Sequence, residues 1–231
     1  MNFRVFDKVD DVVSAVVATI VAAAESSDRA VIALSGGSTP EVVYRRLGSG
    51  ATLERLSKRR VLWVMGDERC VPPDHDMSNS RMVARSLFAA GLPEEHEFLR
   101  FRTEFEDPAT IANDFEERWR ALGVERLDIA LLGVGEDGHT ASLFPGTDVL
   151  AVEDRIAREV WVEKMNSWRV TLTMPVLRAS RMRIVIANGA KKKPILTELR
   201  DGASFPVADA MRGGENAWWF VDRDAYPGEP S

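Results

Sequence analysis

The stretch from Leu131 to Gly146, LLGVGEDGHTASLFPG, stops an apolar run at Gly133 and then crowds Gly135, Glu136, Asp137, Gly138 and His139 together. Histidine is the side chain that exchanges a proton near neutral pH. A carboxylate two residues back can orient its ring and stabilise the imidazolium, which is the chemistry of a general base. A histidine that only caps a turn would not need so many glycines to place it, so the pattern favours function. Gly133, Gly135 and Gly138 also satisfy the G-x-G-x-x-G dinucleotide fingerprint. That fingerprint must open a long helix, yet Pro145-Gly146 follows within a few residues, and no unit with a ribose-binding acid comes after it. The match is read as a decoy. Ser142 is considered as a nucleophile and expected instead in a first helical turn. No Walker loop, HExxH, EF-hand loop or GxSxG elbow is found.

Two other loops carry chemistry. In ALSGGSTPEVVYRRL, Ser35, Gly36, Gly37, Ser38 and Thr39 lead from an apolar run into a helix that opens with Pro40. Glycines let a ligand approach the backbone, and free N–H groups at a helix start seat anions. A capped turn explains part of this, but two glycines with two hydroxyls exceed what capping needs. In VMGDERCVPPDHDMSNS, Gly66, Asp67, Glu68 and Arg69 follow a second apolar run. Alone this reads as a surface charge cluster. Beside an anion seat, Arg69 becomes a partner with a fork suited to phosphate oxygens. His75 and His96 are expected on the surface, and Lys191 to Lys193 as a solvated helix start.

The elements that must hold these loops alternate. VIAL (31–34), VLWVMG (61–66), LDIALLGV (127–134), RMRIVIAN (181–188) and AWWFVD (217–222) read as strands, several apolar throughout as if covered on both faces. VWVEKM and RVTLTM suggest a hairpin-like pair or two more strands. Helices are expected near 9–25, 40–48, 78–90, 108–121 and 190–200. The alternation predicts an α/β fold, a mostly parallel sheet with helices on both faces, and ligands beyond the carboxyl ends of its strands.

A chain of 231 residues with 45% apolar and 29% charged content suits one large globular domain, taken as 1–231 with a frayed tail at about 225–231. The net charge of -6 gives no support for nucleic-acid binding. Cys70 is the only cysteine, which excludes an internal disulfide and fits a reducing compartment. VVSAVVATIVAAA (12–24) imitates an export signal, but it is too short to span a bilayer, and Asp7, Asp10 and Asp11 precede it where positive charge is wanted. Val12, Val13, Val16, Val17, Ile20 and Val21 instead form one helical stripe. No membrane partner, no obligate interface and hence a cytoplasmic monomer are expected.

Together SGGSTP, GDERCVP with its downstream SN, and LLGVGEDGHTASLFPG resemble the 6-phosphogluconolactonase family, as do RVTLT and NGAKKKPIL. The likeness runs from about Phe3 to Asp222, and its specificity lies in the order and spacing of the motifs. The resemblance implies a Rossmann-like fold shared with glucosamine-6-phosphate deaminases and ribose-5-phosphate isomerase. It implies hydrolysis of 6-phospho-D-glucono-1,5-lactone in the oxidative pentose phosphate pathway, without cofactor or catalytic metal. By position His139 would be the general base, Asp137 its partner and Arg69 a substrate contact. Gly36, Gly37, Ser38 and Thr39 would line the phosphate end, with Asp67 and Arg169 also at the substrate. Lys192 matches the family lysine, though Lys191 or Lys193 fits the run as well. KMNSWRV replaces the prolines that often precede R-x-T-L-T, so the loop shape does not carry over, nor any role for Lys164. The rivals are an isomerase or deaminase on the same scaffold and a non-catalytic sugar-phosphate sensor. HTASLFP in place of H-I-A-F-N-E-P, and DER in place of DEY, separate the chain from the deaminases.

Overall fold

Apolar runs too short for helices and buried along their whole length form the centre of the molecule, as described for residues 1–213 and 216–228 of a computed structural model. The strands are β1 (Asn2–Phe6), β2 (Ala30–Leu34), β3 (Val61–Met65), β4 (Asp67–Arg69), β5 (His96–Leu99), β6 (Ile129–Leu132), β7 (Ala157–Val162), β8 (Ser167–Leu172), β9 (Met182–Ala187) and β10 (Ala217–Asp222). Seven of them make one sheet in the order β1-β10-β9-β6-β2-β3-β5, and every pairing is parallel. All residues of β2, β3 and β6 are buried, as a parallel sheet covered on both faces requires. From β2 the chain builds outward to β3 and β5; from β6 it builds the other way to β9 and β10. The order therefore reverses between β2 and β6, and the loops after these two strands splay apart to open a crevice.

A second sheet, β4-β8-β7, is antiparallel. Of the two arrangements expected for β7 and β8 the hairpin is the one found, whereas β4 was not expected. DER reads as a loop because three residues show no period, yet it pairs with β8 and sets Arg69 opposite Arg169. The edge strands β1 and β5 were also missed, as were the short helices Gly50–Leu56, Met174–Ala179 and Pro206–Met211.

The helix Val9–Glu25 buries Val12, Val13, Val16, Val17, Ile20, Val21 and Ala24, so the expected stripe is a core face. Among the described residues no helix is long and apolar enough to cross a membrane. Helices Ser38–Leu47, Asn79–Ser86, Pro108–Ala121 and Lys193–Arg200 fall in expected segments, the last preceded by a tight turn at Ala190–Lys192.

Two expectations are corrected here. His96 is not a surface residue: it is 5% exposed, accepts Trp63 Nε1–H at Nδ1 (3.2 Å) and donates from Nε2 to the Leu56 carbonyl (3.0 Å). The indole only donates and the carbonyl only accepts, so this ring is neutral with its proton on Nε2. Burial holds its pKa below the usual histidine value. The polar run PEEHE hid it, because a short edge strand carries one inward histidine between outward acids. The tail is docked, not frayed, up to residue 228. Ala225 is buried and bonded through its N–H to Asp222 Oδ1 (2.9 Å), and the Tyr226 ring meets Phe3 edge-on at 5.4 Å. Residues 229–231 lie outside the described residues.

Candidate active site

The loop after β2 is shaped by its neighbours. Tyr44 Oη accepts the Ser35 N–H and donates to the Ser35 carbonyl, both at 2.8 Å, which fixes where the loop leaves the sheet. Gly36 lies against Asn79, and any Cβ there would overlap the Asn79 amide. Gly37 has φ +117, which a side chain resists, and leads into the helix Ser38–Leu47 without a side-chain cap. The first N–H groups of that helix have no partner within it, so they face the crevice as donors.

The loop after β3 is held by a buried carboxylate. Glu68 is fully buried and accepts the N–H groups of Arg69 (2.8 Å), Asn79 (2.8 Å) and Ser80 (2.7 Å). Asp67 is also buried, accepting Ser142 Oγ–H at 2.7 Å. DER is thus no surface salt-bridge cluster. Ser142 is corrected too: it is buried in a turn between Thr140 and Leu143, outside any helix, and its hydroxyl is committed to Asp67.

After β6 no helix follows. The chain makes tight turns in which Gly138 has φ +72 and Ala141 has φ 48, the latter a strained conformation for a residue with a Cβ. Gly135 N–H bonds to the His139 carbonyl at 2.9 Å, closing the turn. The imidazole Nδ1 meets Asp137 Oδ1 at 2.5 Å, and the ring stacks on Phe144 with centroids 4.0 Å apart. A carboxylate only accepts, so Nδ1 carries a proton, and in the neutral ring the lone pair is then on Nε2. Burial opposes ionisation of Asp137, but Lys164 and His139 outweigh it and hold its pKa well below the usual carboxylate range.

These loops enclose a cavity of about 310 Å³ at the switch point between β2 and β6. Gly36, Gly37, Ser38, Thr39, Asp67, Arg69, His139, Arg169 and Lys192 all line it. Asp137 does not; it stands behind the imidazole. Of the three lysines only Lys192 lines the cavity, with Nζ donating to the Val134 carbonyl at 2.7 Å. Ser35 of the first loop lines it too, and reading by residue type missed Thr140, Met165 and Asn188, which also line it. Asn188 sits just past β9 and accepts from Thr39 Oγ1, so its post-strand position was the available signal.

The polarity of the walls is what makes this cavity unusual. Seven buried side-chain N or O atoms lack a hydrogen-bond partner among the described residues, and four of them, Ser35 Oγ, Arg69 Nε, Thr140 Oγ1 and Arg169 Nε, belong to residues of this one cavity. Buried polar groups in native proteins are nearly always paired. Arg69 and Arg169 are cross-strand neighbours, neither forms a salt bridge among the described residues, and burial together with Arg69 lowers the pKa of Arg169. Two guanidiniums facing each other without a carboxylate partner make an anion site. No group of three or more His, Cys, Asp or Glu among the described residues is placed to hold a metal ion.

Residues 7–219 match the family of glucosamine-6-phosphate isomerases/6-phosphogluconolactonase. The chain belongs to this family. A 6-phosphogluconolactonase of Nostoc sp. is 34% identical over 209 residues, covering 85% of this chain and 83% of the relative. The solved 6-phosphogluconolactonase of Trypanosoma brucei superposes with a TM-score of 0.81 at 30% identity, covering 97% of each chain. A monomeric glucosamine-6-phosphate deaminase superposes as well, with a TM-score of 0.82 at 21% identity and 97% and 98% coverage, a likeness of fold alone. Members of the family with different chemistries thus share this scaffold, and the choice between them rests on the site.

Proposed function

We propose that this chain hydrolyses 6-phospho-D-glucono-1,5-lactone to 6-phospho-D-gluconate. The observation that carries the reading is the cluster of unpaired buried polar groups around a histidine whose Nδ1 is already held by a carboxylate. The site combines a proton acceptor at one wall with an unneutralised cationic pair, and the named relatives at 30% identity and above act on this lactone by their names. His139 Nε2 takes a proton from water as the water oxygen attacks C1. The tetrahedral intermediate then breaks its bond from C1 to the ring oxygen, and the imidazolium returns the proton to that oxygen. General-base assistance of this kind contributes roughly 10²–10⁴-fold. Arg69, Arg169, Lys192 and the helix start at Ser38 and Thr39 hold the phosphate, so binding energy far from C1 orients the lactone. Asp67, buried at the same wall, accepts from a sugar hydroxyl. Direct attack by water needs no covalent acyl-enzyme, and Ser142, the hydroxyl considered as a nucleophile, is committed to Asp67. The reading places the protein in the cytoplasm as a monomer acting on a small phosphorylated sugar lactone.

The test is product formation from freshly made lactone, with spontaneous opening subtracted, beside ammonia release from glucosamine 6-phosphate. Lactone opening well above the spontaneous rate with no ammonia is expected. Ammonia release, or tight 6-phosphogluconate binding with no turnover, would replace this reading with one of its rivals.

A further inference from the structure

We propose that Lys164 is a positioning residue for this reaction, gripping one oxygen of Asp137 so that the other stays on His139. Lys164 lies in the turn Glu163–Met165 at the tip of the β7–β8 hairpin, which Asn166 closes with φ 45. Its Nζ is bonded to Asp137 Oδ2, while Oδ1 takes His139 Nδ1 at 2.5 Å and the His139 backbone N–H at 3.3 Å. The same Nζ stands 5.5 Å over the Phe144 ring, against which the imidazole also stacks. One ammonium therefore contacts both supports of the base.

A carboxylate turns readily about its terminal torsion, whose wells are broad. With one partner, Asp137 would let the imidazole rock. With partners on both oxygens its plane is set, and Nε2 is aimed into the cavity. Stability alone does not account for the contact, since Lys164 is 55% exposed on the side chain and exposed ion pairs contribute little to folding. The hairpin has its own separate anchor to the site: Met165 lines the cavity, and its sulfur accepts from Arg169 Nη2 at 2.9 Å. Loss of hairpin position would therefore disturb the substrate-binding wall, whereas loss of the Lys164 grip acts on the base.

The inference rests on His139 as the base, and the two are separable by steady-state kinetics on the lactone. Lys164→Met is expected to lower kcat by about 10-fold with KM within about twofold, the signature of an interaction made for the transition state. Its melting temperature should match that of the wild type, and Lys164→Arg should restore most of the kcat. In an Asp137→Asn background the Lys164→Met change should add less than about twofold, because contacting residues that act as a unit are non-additive. Wild-type kcat in Lys164→Met, a loss confined to KM, or a loss fully additive with Asp137→Asn would each overturn the role of Lys164. Wild-type kcat in Asp137→Asn alone would overturn the Asp137–His139 reading beneath it.

Discussion

Gly135→Ala loses most turnover while remaining folded. Gly135 is not among the positive-φ glycines, so an alanine backbone is allowed there. The added Cβ would overlap Nδ1 and Cε1 of His139 and stand 2.6 Å from Asp137 Oδ1. What it meets is side chain, so the ring and the carboxylate move while the strand behind them stays. Displacing a catalytic group by about 1 Å costs on the order of 10²-fold, and that is the expected fall in kcat. Thermal unfolding beside the kinetics separates this from misfolding. Gly138 offers the contrast, because at φ +72 with Phe205 against it a substitution strains the backbone and the packing together. Wild-type kcat in Gly135→Ala would mean that the imidazole does not work from where it stands.

The second large effect belongs to the arginine pair. Arg69→Ala and Arg169→Ala each remove a guanidinium whose buried Nε has no partner within the described protein. Hydrogen bonds to a charged group contribute about 1.5–3 kcal/mol, so each variant should weaken substrate affinity by roughly 10–10²-fold. The loss should appear mainly in KM. Folding should not suffer in the same measure, because two facing cations repel each other until an anion arrives. The ligand 6-phosphogluconate should therefore raise the melting temperature of the wild type and do so much less in either variant. A ligand-induced rise equal to that of the wild type would remove both arginines from the site.

The parts of this architecture legible in the sequence are those with a long or redundant signal. VIAL and VLWVM are apolar throughout and become the fully buried β2 and β3. The stripe from Val12 to Val21 repeats at helical spacing and becomes a core face. The glycine-rich loops were found because each follows such a strand. Position, not composition, chose Lys192 among three adjacent lysines, and only the turn before Lys193 decides it. Short or long-range features were not legible. DER has too few residues to show a strand period, yet its pairing with β8 is what sets Arg69 beside Arg169. Ser142 meets Asp67 across 75 positions, and Lys164 meets Asp137 across 27, distances over which local pattern carries nothing. His96 was misplaced because its neighbours in sequence are charged while its neighbours in space are Trp63 and Leu56.

His139→Ala, compared with the wild type for lactone turnover and for 6-phosphogluconate binding on the same preparations, addresses the base and the anion seat at once. Turnover should fall to near the spontaneous rate while the product still binds with close to wild-type affinity. Unchanged turnover in His139→Ala would contradict it.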